Sequence, residues 1–200
     1  MYRFYLAAID MLLGALHLIP LYWILNRIYF NNTRKSILYC LFSCYIATVY
    51  VLVGLPNVTY IRPELNLNLV PLTGMIDDWK NSILNILLFI PLGTSVPLLW
   101  RRFRTAKATV LFGFIISLVI ELLQTLTYRT TDVNDLITNT IGTFGGYLCA
   151  QFLLQRFPML RCIVKEDNTS DLVIIFPTVL LLMFFAYPFV SATLWDFILS

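Results

Sequence analysis

Residues 109–127 read TVLFGFIISLVIELLQTLT, and this stretch decides the class of fold. A single helix that crosses the roughly 30 Å hydrocarbon core of a bilayer needs about 20 mostly apolar residues. The apolar residues here are continuous, whereas the strands of a membrane β-barrel alternate between apolar and polar. One acidic residue, Glu121, interrupts the stretch towards its end. The sequence therefore predicts a transmembrane helix that carries one carboxyl group.

The composition of the whole chain agrees with a membrane protein. Of its 200 residues, 59% are hydrophobic and 12% are charged, whereas about a quarter of the residues in ordinary soluble domains are charged. The net charge of +3 is too small to indicate a nucleic-acid partner. We therefore predict an all-α, polytopic integral membrane bundle of about six transmembrane helices, with residues 1–200 forming one domain. The predicted spans are Phe4–Leu25, Ile37–Leu55, Ile83–Trp100, Thr109–Thr127, Asp135–Gln155 and Leu172–Trp195.

The distribution of basic residues predicts the orientation of this bundle, because short loops rich in Lys and Arg stay on the cytoplasmic side. Most basic residues fall in the first, third and fifth loops. These are Arg27, Arg34, Lys35, Arg101, Arg102, Arg104, Lys107, Arg156, Arg161 and Lys165, and the remaining ones are Arg3, Arg62, Lys80 and Arg129. Both termini and the second and fourth loops are therefore expected outside.

Polar side chains recur at helical spacing on the third, fourth and fifth predicted spans, on one face of each. The candidate site residues on or beside these faces are Asp78, Asn85, Glu121, Gln124, Arg129, Asp132, Asp135 and Asn139. At 1.5 Å per residue, Asn85, Glu121 and Asn139 each lie roughly 9 Å from the outer ends of their helices. Charges inside a membrane are costly and ordinarily face the protein interior. The three faces therefore predict a polar pocket in the outer third of the membrane.

Several of these residues also have a purely structural interpretation. Asp132 and Asp135 suit a helix N-terminus, where carboxylates accept hydrogen bonds from unpaired N–H groups. Gly142 and Gly146 form a GxxxG motif, which lets two membrane helices pack closely. For Glu121, an acid well inside a span, we favour a functional role. The cysteines lack CxxC spacing and a pairing with histidine, so they predict no metal site.

Five strings in this part of the chain carry a resemblance to a known family. They are NLVP at 68–71, MIDD at 75–78, NILLFIPLG at 85–93, IELLQ at 120–124 and RTTDVNDLITNTIG at 129–142. Their order and spacing are similar to those of the VanZ-like family, and we identify residues 66–150 as the VanZ-like region. The resemblance implies a bacterial cell-membrane protein associated with lowered susceptibility to teicoplanin or related lipoglycopeptides. It points to the candidate residues given above, with Asp77 as an alternative to Asp78.

Three functions are compatible with these residues. The first is a site for the polar head of an amphiphile, which is a membrane lipid, a lipid-linked wall precursor or the acyl-bearing drug teicoplanin. Arg129 would hold phosphate or carboxylate through its planar guanidinium, and no cofactor is expected. The second is an intramembrane enzyme in which Glu121, Asp132 and Asp135 act as general acid and base, or bind Mg²⁺ or Ca²⁺. The third is a small transporter, although transporters usually place their sites near the midplane.

Overall fold

The computed structural model describes residues 14, 16–63, 66–68, 70–72, 78–127, 129–162 and 169–199. Their regular structure is almost entirely helical, which confirms the all-α class. The helices are α1 (residues 16–25), α2 (Thr33–Leu52), α3 (Trp79–Leu99), α4 (Ala106–Gln124), α5 (Val133–Arg156), α6 (Asp171–Leu181) and α7 (Tyr187–Leu199), and the strands are β1 (Leu67–Asn68) and β2 (Thr131–Asp132). The described residues fall into two compact units, one within 1–62 and 170–200 and one within 63–169.

Four described helices are long and apolar enough to cross a membrane, so the chain is a helical membrane protein. They are Thr33–Leu52, Trp79–Leu99, Ala106–Gln124 and Asp171–Thr193, in which a π-helical turn at Leu182–Ala186 joins α6 to α7. The fifth predicted span coincides with the 24-residue α5, but polar residues and glycines leave α5 less apolar than the other four. Half of the first predicted span, residues 4–13 and 15, lies outside the described residues, and the count of six spans stays a prediction.

Helices α2, α4 and α5 begin a few residues before the predicted spans because polar capping residues precede the apolar runs. The side chains of Asn32, Thr105 and Asp132 each accept a hydrogen bond from a backbone N–H in the first turn that follows. Such caps satisfy N–H groups that have no partner within the helix. In these three helices the capping residue, and not the first apolar residue, marks where the helix begins.

Glycine residues bring α3 and α5 into backbone contact in the unit formed within residues 63–169. A Cβ atom added at Gly142 would lie 3.0 Å from Cα of Ile86, and one at Gly146 would lie 2.8 Å from the backbone nitrogen of Thr94. The Thr94 hydroxyl also donates a hydrogen bond to the Gly146 carbonyl at 3.1 Å. The interpretation of the GxxxG motif as a close-packing seam is therefore confirmed.

A two-residue parallel β-pair ties the loop before α3 to the start of α5. Leu67 lies opposite Thr131, and Asn68 lies opposite Asp132. Further along the loop, the backbone N–H of Leu72 donates to Oδ1 of Asn134 at 2.7 Å. These contacts hold the loop against the N-terminus of α5, at the end of the helix where the acidic residues lie.

A buried ion pair joins α2 to α6 in the other unit. Nζ of Lys35 lies 2.7 Å from Oδ2 of Asp171, and the two side chains are 9% and 1% exposed. The Tyr39 hydroxyl donates to the same carboxylate oxygen at 2.9 Å, and the Lys35 ammonium lies 5.5 Å from the centre of the Phe30 ring. The placement of Lys35 in a loop is therefore wrong, because its pairing with Asp171 buries it in the first turn of α2.

Candidate functional site

The C-terminal end of α4 and the N-terminal end of α5 bring predicted carboxyl groups together. Glu121 is only 4% exposed, and its Oε2 accepts a hydrogen bond from the backbone N–H of Asp132 at 3.0 Å. The Thr131 hydroxyl donates to the backbone carbonyl of Glu121 at 3.1 Å. These contacts fold the segment between the helices back over Glu121. We call Glu121, Asp132 and Asp135 the carboxylate cluster.

Asp132 serves as the N-cap of α5, and both of its carboxylate oxygens are engaged. Oδ1 accepts from the backbone N–H of Asn134 at 2.8 Å, and Oδ2 accepts from Nδ2 of Asn68 at 3.1 Å. The structural interpretation of Asp132 is confirmed by these bonds. The capacity to bind a ligand is therefore greater at Glu121 and Asp135.

Removal of the Asp132 carboxylate is expected to lower the Tm of the detergent-purified protein. The change Asp132→Ala removes a cap worth about 1 kcal/mol, which corresponds to roughly 2–4 °C in a chain of this size. The control is Asp132→Asn, because asparagine is an equally good N-cap and keeps an acceptor oxygen. A Tm for Asp132→Ala equal to that of the wild type would contradict the capping role.

Asp135 lies in the first turn of α5 and is half-buried. The side chain of Asn85, from α3, hydrogen-bonds to its carboxylate. The guanidinium of Arg129 lies within electrostatic reach of both Asp135 and Glu121, while the Arg129 side chain is exposed. In the described part of the chain, Arg129 is therefore a positively charged neighbour of the cluster at its exposed edge.

A polar seam continues from the cluster along the contact between α4 and α5. Nδ2 of Asn139 donates to the hydroxyl of Ser117 at 2.9 Å, and Asn139 is 3% exposed. Oδ1 of Asn139 is buried and has no hydrogen-bond partner among the described residues. Gln124 is also buried, on the same stripe of α4 as Ser117 and Glu121. The seam thus offers a ligand at least one neutral acceptor.

Asp78 lies at the exposed start of α3, away from the buried part of the seam. Its Oδ2 accepts from Nδ2 of Asn81 at 2.7 Å, and its charge acts on Asp135. The alternative residue, Asp77, lies outside the described residues. Asp78 therefore contributes a negative charge at the exposed edge of the site.

Three polar contacts of the site were not predicted from the sequence. They are made by Asn68, Thr131 and Asn134, and all three residues stand inside the strings that carry the family resemblance. Those strings were the available signal, because hydrogen bonds between a loop and a helix end leave no periodic pattern. Among the described residues, no group of three His, Cys, Asp or Glu side chains is arranged to hold a metal ion.

Comparison with known proteins places the site in a family context. The family model described as VanZ/LLP1 matches residues 37–154. Protein VanZ of Enterococcus faecium is 35% identical over 86 residues, which cover 42% of this chain and 51% of that protein. The chain therefore spans about half the length of this curated relative. No solved structure matches the chain.

Proposed function

The chain belongs to the VanZ/LLP1 family, and we propose from this membership that it contributes to resistance against teicoplanin and related lipoglycopeptides. The proposed means is a polar pocket at the carboxylate cluster that binds the head of an amphiphile. The observation that carries this proposal is the buried carboxylate of Glu121 inside an apolar helix, with the exposed Arg129 within electrostatic reach. A charged side chain inside a membrane-spanning helix is costly. A role in binding a ligand would explain why Glu121 is present there.

The proposed pocket faces the outside of a bacterial cell membrane, in a bundle of six spans with both termini outside. Basic residues that favour the cytoplasm lie between α3 and α4 and in the first turn of α4, at the end of α4 opposite Glu121. They are Arg101, Arg102, Arg104 and Lys107. If this loop is cytoplasmic, the carboxylate cluster lies towards the outer leaflet.

The surroundings of the cluster suit a molecule with a polar head and a long chain. The exposed guanidinium of Arg129 is a partner for phosphate or carboxylate. On α4, Leu118 and Leu122 are 40% and 59% exposed beside the turn that holds Glu121, and they offer an apolar surface to an acyl chain. A membrane lipid, a lipid-linked wall precursor and teicoplanin all fit this description. Binding of this kind requires no cofactor.

The test is the inhibitory concentration of teicoplanin in a susceptible bacterium that expresses wild type or Glu121→Gln at matched membrane levels. Removal of one buried charged partner costs a ligand about 2 kcal/mol or more, which is roughly a thirtyfold loss of affinity. We therefore expect the wild type to protect and Glu121→Gln to lose most of that protection. Vancomycin, measured in parallel, shows whether protection is selective for the acyl-bearing drug.

Lys107→Gln is the control variant, because it removes an exposed charge at the far end of α4. It is expected to protect as well as the wild type. Equal protection by wild type and Glu121→Gln would show that Glu121 is structural and that the proposed site is wrong. If Glu121→Gln lowers only the amount of protein in the membrane, Glu121 locks helices together and binds no ligand.

An intramembrane, carboxylate-dependent enzyme is the second candidate. It is favoured by one observation, which is that Glu121 and Asp135 lie within electrostatic reach of each other. Two carboxyl groups so placed can act as a proton donor and a proton acceptor on a bound headgroup. Turnover of a labelled lipid by the purified protein, abolished by Asp135→Asn, would establish this function over simple binding.

A further inference from the structure

The balance of charge at the carboxylate cluster bears on the chemistry of its ligand. Among the described residues, the charges that act on Glu121 are those of two carboxylates, Asp132 and Asp135, and one guanidinium, Arg129. Those that act on Asp135 include Asp78 and Asp132 on one side and Arg129 on the other. The negative charges outnumber the positive one around both residues. An anionic headgroup alone would therefore meet repulsion from most of its neighbours.

The hydrogen-bonding capacity of the site also favours a donor in the ligand. An ionised carboxylate has about four acceptor positions. Each oxygen of Asp132 already has a partner, whereas the hydrogen bond to Glu121 falls on one of its two oxygens, Oε2. These bonds take two acceptor positions of Asp132 and one of Glu121, and the Asn85 side chain takes one of Asp135, so more positions remain at Glu121 and Asp135.

Asn139 gives an independent indication of the same kind. Its Oδ1 is a buried acceptor that lacks a partner among the described residues, while its amide nitrogen is fixed on Ser117. Asn139 stands one helical turn after Asp135 on α5, and its hydrogen-bond partner Ser117 stands one turn before Glu121 on α4, so Asn139 belongs to the same α4–α5 contact as both carboxylates. A buried acceptor without a partner is costly, and a donor supplied by a ligand would remove that cost.

We infer that the site recognises an amphiphile whose head carries a primary ammonium group, held by Glu121, Asp135 and Asn139, together with an anionic group beside Arg129. A primary ammonium has three N–H donors and no acceptor, which suits three acceptor residues on neighbouring turns of α4 and α5. The described acidic residues do not converge in threes as metal ligands, and an organic ammonium does not need that geometry. This inference rests on the proposed function and specifies the ligand of the same site.

Two natural sources of such a head are a phospholipid ethanolamine and an aminoacyl ester on a phospholipid. Both present a primary ammonium near a phosphate, and the site chemistry is the same for both. The probes are therefore phosphatidylethanolamine, lysyl-phosphatidylglycerol, phosphatidylcholine and phosphatidylglycerol, each titrated into the full-length, detergent-purified protein. Phosphatidylcholine is the matched control for phosphatidylethanolamine, because three methyl groups replace the N–H donors while the net charge stays the same.

Binding would be read by native mass spectrometry for wild type, Glu121→Gln and Asp135→Asn. We expect one of the two primary-ammonium lipids to bind roughly tenfold more tightly than phosphatidylcholine, as charge-assisted hydrogen bonds allow. The arm that shows this preference identifies the source of the ammonium. Each variant should reduce the preference to near one, and Asp135→Asn gives the answer if Glu121→Gln does not fold.

The remaining outcomes separate this inference from the proposed function. Equal binding of phosphatidylcholine, or tighter binding of phosphatidylglycerol, overturns the ammonium assignment while the pocket stands, provided that the variants weaken that binding. Binding of all four lipids that neither variant changes, or no binding at all, overturns both the inference and the proposed pocket.

Discussion

Gly146→Ala is expected to abolish the accumulation of folded protein. The added Cβ would lie 2.8 Å from the backbone nitrogen of Thr94 and 2.9 Å from the backbone carbon of Gly93. Both of these atoms belong to the backbone of α3, so no side chain can move aside and the two helices must separate. Overpacking of a well-packed core costs about 1–3 kcal/mol, and displacement of a helix backbone is expected to reach at least the upper end of that range. Fluorescence-detected gel filtration of a tagged protein would measure the loss.

The preceding residue provides a matched control for this variant. A Cβ added at Gly145 would meet only Cγ1 of the Ile90 side chain, at 3.9 Å, which is an ordinary van der Waals distance. Gly145→Ala therefore makes the same chemical change on the same helix, and its elution profile and yield are expected to stay close to those of the wild type. A normal profile for Gly146→Ala would show that the described contact between α3 and α5 is wrong.

Removal of either partner of the Lys35–Asp171 ion pair is expected to lower the stability of the protein about as much as Gly146→Ala does. The pair is almost completely buried, and a single variant leaves the other charge without its counterpart. Breaking a buried pair in this way costs about 3–5 kcal/mol. Lys35→Met and Asp171→Leu should therefore each lower the Tm strongly and lower the yield from membranes.

The double variant Lys35→Met with Asp171→Leu separates loss of the pair from loss of an unmatched charge. Replacement of both charged groups by apolar ones of similar size is often neutral or stabilising. We expect the double variant to recover most of the Tm that each single variant loses. Additive losses would indicate that Lys35 and Asp171 act independently, through other neighbours such as Tyr39.

The helices were predictable from the sequence where the apolar run itself decides the structure. The runs within α3 and α4 fixed those two helices to within a few residues, and GxxxG spacing indicated the seam at Gly142 and Gly146. Both signals are local, because they depend on the length and the periodicity of a single segment. The starts of α2, α4 and α5 were placed two to four residues too late, since each depends on a capping residue outside the run.

The tertiary pairing of charged residues could not be read from the sequence. Lys35 stands beside Arg34 in a stretch that has the composition of a basic loop, and nothing local distinguishes the two. Asp171 directly precedes the predicted sixth span, but its partner lies far away in the chain. Burial of one lysine and not its neighbour depends on which face of α2 meets α6, and that is a property of packing.

Helical periodicity predicted the part of the candidate site that depends on which residues share one face of a helix. The spacing of Glu121, Asp135 and Asn139 indicated that they share faces of neighbouring helices, and the structure brings Glu121 and Asp135 within electrostatic reach. The backbone hydrogen bond from Asp132 to Glu121 required the conformation of the intervening turn, which no spacing rule supplies. The functional role of these residues stays a prediction.

The pairing of β1 with β2 sets the earliest moment in synthesis at which the site can be complete. The Asn68 and Asp132 side chains that meet there are separated by 64 positions. Asn68 is therefore synthesised before its partner, and α3 and α4 must be synthesised before the two can meet. At roughly 5–20 residues per second this delay is about 3–13 s. During that interval the loop that carries β1 has no strand to pair with. A nascent chain arrested just after α4 would therefore expose this loop to proteases, while one extended through the first turns of α5 would protect it.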